Sequence, residues 1–181
     1  MDYVKLSKEV SYALRHAPWE YDLELDEDGW VNVEQLLDSL KTKKDWLNVC
    51  AKDLQIIVDI SDKKRHEISE GKIRALYGHS TQNRIIKDIK KPPDMLYHGT
   101  ARNLVSVISK NGLSPKGRQY VHLSVDINIA SQVGKRHDDL PAILKIDAKK
   151  AWNNGIVFYQ GNDKVWLADF IPSEYIDQSV K

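Results

Sequence analysis

Ser80-Thr81-Gln82-Asn83-Arg84-Ile85-Ile86-Lys87-Asp88-Ile89-Lys90-Lys91-Pro92-Pro93-Asp94 separates two textures of sequence. The stretch is polar and basic, and the Pro92-Pro93 pair that ends it cannot continue a helix and stiffens the backbone. Ahead of it, apolar residues recur at helical spacing; behind it, short strand-like runs are broken by turns. The pattern predicts an α+β protein with two lobes, residues 1–80 and 95–181, joined by a linker over residues 81–94.

On the N-terminal side, Leu6, Val10, Ala13, Leu14 and Ala17 form a helical stripe that Pro18 terminates. Asn32 followed by Gln35 resembles a capping box that opens a second helix, with Val33, Leu36, Leu37 and Leu40 facing inward. A third helix is predicted from Val49 to Ile60. His66 to Ser69 and Lys72 to Ala75, around Glu70-Gly71, then read as a two-stranded ribbon. Three helices followed by a ribbon resemble a winged helix. On the C-terminal side, strands are predicted at Met95 to His98, Gln119 to Ser124, Ala142 to Ile146, Ile156 to Tyr159 and Val165 to Ala168. Helices are predicted at Arg102 to Lys110, closed by Asn111-Gly112, and at Ile127 to Gly134.

The 181 residues, 41% of them hydrophobic, are enough to bury roughly 70% of the unfolded surface. No apolar run approaches the roughly 20 residues that cross a bilayer, and Met1-Asp2-Tyr3-Val4-Lys5 has no apolar signal core behind it. A cytoplasmic monomer is the expectation. The single cysteine, Cys50, excludes an internal disulfide and a multi-cysteine zinc site, and packing is its expected role. No metal is expected, since no His-Glu-x-x-His spacing occurs. Net charge is +1, from 27 basic and 26 acidic side chains, so any phosphate site must be local rather than the product of a global field. Basic residues cluster at Lys63-Lys64-Arg65, Lys87 to Lys91 and Lys116 to Arg118, where solvated surface charge is the plain alternative.

Arg15-His16 ends the first helix, where cations favour the macrodipole. The same two donors, beside a chain turned away by Pro18, could fork around a phosphate. Arg65 enters the ribbon, and Gly78-His79-Ser80 leaves it as a turn that could simply satisfy its own backbone. Leu96-Tyr97-His98-Gly99-Thr100 runs from a strand towards a helix; Gly99 permits close approach to the backbone, and Thr100 can cap the helix or bond a ribose hydroxyl. Arg118 precedes a strand on which Tyr120, His122 and Ser124 alternate to one face, the signature of a cleft. There is no Walker loop and no GxGxxG, so a nucleotide would need another scaffold.

Taken in order, Leu14-Arg15-His16, Asp28-Gly29-Trp30, Asp62-Lys63-Lys64-Arg65, Ile73-Arg74-Ala75 with Gly78-His79-Ser80, Tyr97-His98-Gly99-Thr100, Tyr120-Val121-His122-Leu123-Ser124 and Val165-Trp166-Leu167 resemble the RNA 2'-phosphotransferases of the KptA type. The resemblance runs from about Leu6 to Ile176. It implies an N-terminal winged-helix lobe for RNA and a C-terminal lobe like that of the ADP-ribosyltransferases for NAD. It further implies transfer of an internal RNA 2'-phosphate to NAD+, giving 2'-hydroxyl RNA, nicotinamide and ADP-ribose 1'',2''-cyclic phosphate, as in tRNA splicing. The family's catalytic quartet falls on Arg15, His16, Arg65 and Arg118, and its NAD site on His98, Gly99, Thr100, His122, Leu123 and Ser124. Val165 stands where many ADP-ribosyltransferases place a glutamate. This sequence departs from the family at His66, usually aromatic, and at Leu76-Tyr77, usually Asn-Gln. Two rival readings are an ADP-ribosyltransferase acting on nucleic-acid terminal phosphates or on protein, and a winged-helix RNA-binding module without catalysis.

Overall fold

The computed structural model describes residues 1–177. The chain divides into two units, Met1–Ile86 and Lys87–Lys181, the second described as far as Asp177. Each has its own antiparallel sheet and its own apolar cluster, so the architecture is α+β.

In the first unit, helix α1 (Tyr3–Arg15) begins where the Asp2 carboxylate accepts the Lys5 N–H at 2.9 Å. It ends before Pro18, whose ring locks φ and which has no N–H to donate. Its fully buried Leu6, Val10, Ala13 and Leu14 meet Leu36 and Leu40 of α2 (Val33–Lys41) and Leu54 and Ile57 of α3 (Ala51–Asp59) in one cluster. Strand β1 (Trp30–Asn32) joins β2 (His66–Ser69) and β3 (Lys72–Ala75) in a sheet ordered β1-β3-β2. Ser69 pairs with Lys72, leaving Glu70 (φ 50°) and Gly71 (φ 75°) as a two-residue turn with both φ angles positive, the twist-matched connection for an antiparallel ribbon.

Two expectations are corrected here. Asn32 makes no side-chain capping bond, because Gln35 Nε2 reaches across instead to the Asp22 carbonyl at 2.9 Å. The reciprocal arrangement occurs at α3, where Asp53 accepts from both the backbone N–H and the thiol of Cys50, at 3.0 and 3.1 Å. Cys50 is therefore exposed at a helix start rather than packed in the core.

The 81–94 segment attaches at both of its ends. Ile85 is buried and the Ile86 N–H donates to the Glu27 carbonyl at 2.9 Å, while Ile89 bridges to Tyr159 and Lys90 donates to the Phe158 carbonyl.

The second unit contains β4 (Met95–Thr100), α4 (Val105–Asn111), β5 (Val121–Ser124), α5 (Ile127–Gly134), β6 (Ala142–Asp147), α6 (Ala148–Asn153), β7 (Phe158–Gln160), β8 (Val165–Ala168) and β9 (Ile176–Asp177). Its six strands are ordered β7-β8-β5-β4-β6-β9. The helix expected over Arg102 to Lys110 starts instead as a 3-10 turn at Arg102–Leu104, where the Arg102 backbone N–H and guanidinium are held by Asp138. One face of the sheet carries Leu96, Val121, Leu123, Leu144, Ile146 and Trp166 into the core. On the other, α5 crosses Gly99 so closely that a Cβ there would stand 1.9 Å from the Ala130 carbonyl oxygen.

Among the described residues, no helix is long and apolar enough to cross a membrane.

Candidate functional site

In the first unit, the end of α1 and the start of the ribbon are tied together. The Arg65 carbonyl accepts both the Leu76 N–H, at 2.9 Å, and Arg15 Nη2, at 3.2 Å. Arg15 is thereby drawn across from α1 to the base of the ribbon, and its guanidinium carbon lies 5.0 Å from the centre of the Tyr77 ring, close enough for a cation–π contact. Gly78 (φ 91°) runs alongside, and a Cβ there would touch the Arg15 side chain at 3.5 Å. Tyr77 is held in turn by donating its hydroxyl to the Lys63 carbonyl at 3.0 Å. A flexible guanidinium thus gains a fixed position from backbone and aromatic neighbours.

His16 follows directly. Its Nδ1 lies 2.8 Å from Ser80 Oγ, and the Ser80 N–H donates to the Arg15 carbonyl at 2.9 Å, so the turn after the ribbon clasps the helix end. Arg65 Nη1 reaches Ser61 Oγ at 3.5 Å. His66, next after Arg65, is 2% exposed, with Nε2 3.0 Å from Ser11 Oγ. Burial first, then the Arg15 and Arg65 charges, push its pKa down to about 3, so it is a neutral imidazole at physiological pH. Three of the four residues expected to be catalytic, Arg15, His16 and Arg65, are therefore gathered in one part of the first unit. The residues that hold them, Ser61, Tyr77 and Ser80, could not be assigned that role from sequence: Tyr77 and Ser80 meet Arg15 and His16 from far along the chain, and Ser61, four residues before Arg65, carries no pattern that marks its contact.

The fourth, Arg118, belongs to the second unit, exposed in the loop before β5 and next to Gly117 (φ 59°). In that unit, His98 and His122 are ordered by carbonyls. His98 Nδ1 lies 2.9 Å from the His122 oxygen, and His122 Nδ1 lies 2.9 Å from the Tyr120 oxygen. A carbonyl only accepts, so both Nδ1 atoms carry the proton and a neutral ring presents Nε2 as an acceptor. Burial holds the His98 pKa below its ordinary value, despite the opposing bond to the carbonyl.

Strand register sorts the remaining residues. Tyr97 stands opposite Ser124, and Ser124 opposite Val165, so these three form a row across β4, β5 and β8 with His122 on the same face. Leu123 points to the other face and is 1% exposed, leaving only its backbone to offer a ligand. Thr100 and Ser124 are buried. Gly99 is required by the approach of α5, a packing reason that its sequence context did not reveal.

Comparison with known proteins gives the family. The model of the RNA 2'-phosphotransferase, Tpt1 / KptA family, matches residues 1–170. The chain belongs to this family. A protein of Acetivibrio thermocellus named "Probable RNA 2'-phosphotransferase" is 62% identical over 176 residues, covering 97% of both chains. A protein of the same name from Bacillus thuringiensis subsp. konkukian is 58% identical over 96% of this chain and 94% of its own. A third, from Pyrococcus horikoshii, is 38% identical over 95% of this chain and 96% of its own. The members of the RNA 2'-phosphotransferase family matched here thus come from bacteria and an archaeon, and align along nearly their full length.

Proposed function

We propose that the protein removes an internal 2'-phosphate from RNA, with NAD+ as co-substrate and acceptor. The first unit acts as a winged-helix lobe that receives RNA, and the second as an ADP-ribosyltransferase-like lobe that receives the dinucleotide. A 2'-phosphate oxygen attacks the anomeric carbon of the nicotinamide-bearing ribose, and the glycosidic bond breaks with its electron pair leaving on nicotinamide. The 2''-hydroxyl of the same ribose then attacks phosphorus and gives up its proton. The bond from phosphorus to the RNA 2'-oxygen breaks, that oxygen takes up a proton, and the other product is ADP-ribose 1'',2''-cyclic phosphate.

The observation that carries this reading is the gathering of Arg15, His16 and Arg65 in the first unit of a chain from this family. Fixed guanidinium groups stabilise the charge that builds on a phosphoryl centre without changing protonation, a role suited to Arg15, Arg65 and Arg118. An imidazole can both donate and accept near neutral pH, so His16 manages the proton of the departing 2'-oxygen, with Ser80 orienting its ring. In the second unit, His98, held by the His122 carbonyl, offers Nε2 to a ribose hydroxyl, and Gly99, Thr100, His122, Leu123 and Ser124 complete the NAD+ site. Val165, on the face shared with His122 and Ser124, suits an incoming phosphate, which a carboxylate would repel.

The test is an RNA oligonucleotide with one labelled internal 2'-phosphate, incubated with NAD+. Wild-type protein releases nicotinamide and labelled cyclic phosphate. His16→Ala completes the first step and accumulates the RNA joined to ADP-ribose, slowing the second step by about 100-fold or more. Normal speed through both steps in His16→Ala refutes its role. A wild-type protein that stops at the joined species supports the rival ADP-ribosyltransferase reading.

A further inference from the structure

Both strands of chain that leave the His16–Ser80 contact run on to line one groove. Pro18 and Trp19 follow His16 after Ala17, and Thr81 to Ile85 follow Ser80 directly; with Leu23 to Glu27 they enclose an open groove of about 720 Å³ in the first unit. That volume falls in the range of small-molecule sites and exceeds what a single planar base requires. The lining is tied at both ends. At one end are His16 Nδ1 to Ser80 Oγ and the Ser80 N–H to the Arg15 carbonyl; at the other, the Ile86 N–H donates to the Glu27 carbonyl at 2.9 Å. Asp26 stiffens the middle by accepting the Trp30 N–H at 2.8 Å. A groove braced in this way binds without a large ordering cost.

Trp19 is its most telling residue. It is 65% exposed, an unusual state for the largest apolar side chain, and it stands three residues beyond the proposed phosphate ligand His16. The neighbouring carboxylates Glu24, Asp26 and Glu27 outnumber the one cation of the lining, Arg84, and make the groove unfavourable for a phosphate backbone. They favour a flat, uncharged group bearing amino hydrogens. Gln82 and Asn83, also in the lining, bring amide groups to the groove.

We propose that this groove takes the base of the nucleotide adjoining the 2'-phosphorylated one, stacked on Trp19. The inference rests on the reading of Arg15 and His16 as phosphate ligands given above. Its physical basis is that an unpaired base offers an aromatic face to an indole, a contact tolerant of base identity. The protein would then select a phosphate by its arginines and an unstacked RNA strand by Trp19.

The test compares two 2'-phosphorylated trinucleotides, identical except that the nucleotide next to the phosphorylated one is abasic in the second. Nicotinamide release is measured for wild type, Trp19→Ala and Trp19→Phe. The expected result is a KM about tenfold lower for the base-bearing probe in wild type. Trp19→Ala removes that difference, with kcat and the KM for NAD+ unchanged, and Trp19→Phe retains most of it. Equal KM values for the two probes in wild type overturn the proposal, as does a preference that survives in Trp19→Ala. A raised KM for NAD+ in Trp19→Ala, equal on both probes, assigns the groove to the adenine of the dinucleotide and likewise overturns it. Wild-type protein that releases no nicotinamide with either probe overturns the 2'-phosphate reading itself, and this inference with it.

Discussion

Single residues carry most of the chemistry, and His66 shows how one can act without touching a substrate. It is a buried imidazole close to two guanidinium groups, with Ser11 at Nε2. Its pKa falls from 6.5 to about 3 on folding. A folded-state value below the unfolded one means that between pH 6.5 and 3 the unfolded chain binds the extra proton, so stability is full above pH 6.5 and is lost on acidification. The slope is about 1.4 kcal/mol per pH unit, so two units of acidification from pH 6.5 remove about 2–3 kcal/mol. His66→Phe keeps an apolar filling and removes the titration. Urea unfolding at pH 6.5 and pH 4.5 should show a smaller loss in the variant by about that amount; parallel losses in the two proteins would contradict the burial argument.

Elements show where local pattern sufficed and where it did not. The α1 stripe of Leu6, Val10, Ala13 and Leu14, with Pro18 beyond it, was legible because helix spacing and a proline stop are local properties. Strand β1 was not, since three residues at Trp30–Asn32 are too few for a period and owe their conformation to pairing with Arg74, Ile73 and Lys72. The 3-10 turn ahead of α4 is held by Asp138, 36 residues from Arg102, and Cys50 opens α3 although cysteine is not among the usual capping residues. Gly99 belongs to the same class: the Ala130 carbonyl, far along the chain, is what leaves no room for a side chain there. Gly99→Ala therefore pits a Cβ against backbone at 1.9 Å, where no rotamer can yield. It should cost about 3 kcal/mol in urea unfolding, the upper end for overpacking, and displace α5 from β4. A cost below about 0.5 kcal/mol would show that the helix moves away freely.

At the scale of the whole molecule, two apolar clusters and two sheets divide the work, and the units part between Ile86 and Lys87, within the polar stretch that precedes Pro92-Pro93. The candidate site was legible only as residue types in a familiar order: Arg15, His16, Arg65 and Arg118 could be named, while Ser61, Tyr77 and Ser80, which fix three of them, emerge only through contacts made on folding. Arg15 and Arg118 are both proposed to stabilise the charge of the phosphoryl group. Groups that stabilise the same charge do not act independently, so their losses do not add. Arg15→Ala and Arg118→Ala should each lower kcat/KM for 2'-phosphorylated RNA by about 100-fold, near the loss of one transition-state donor. The double variant should then fall well short of the roughly 10,000-fold that independent losses would give. Nicotinamide release measured across the four proteins reads the coupling directly. Full additivity would assign the two arginines to separate tasks, leaving Arg118 to the dinucleotide and the phosphate to the first unit alone.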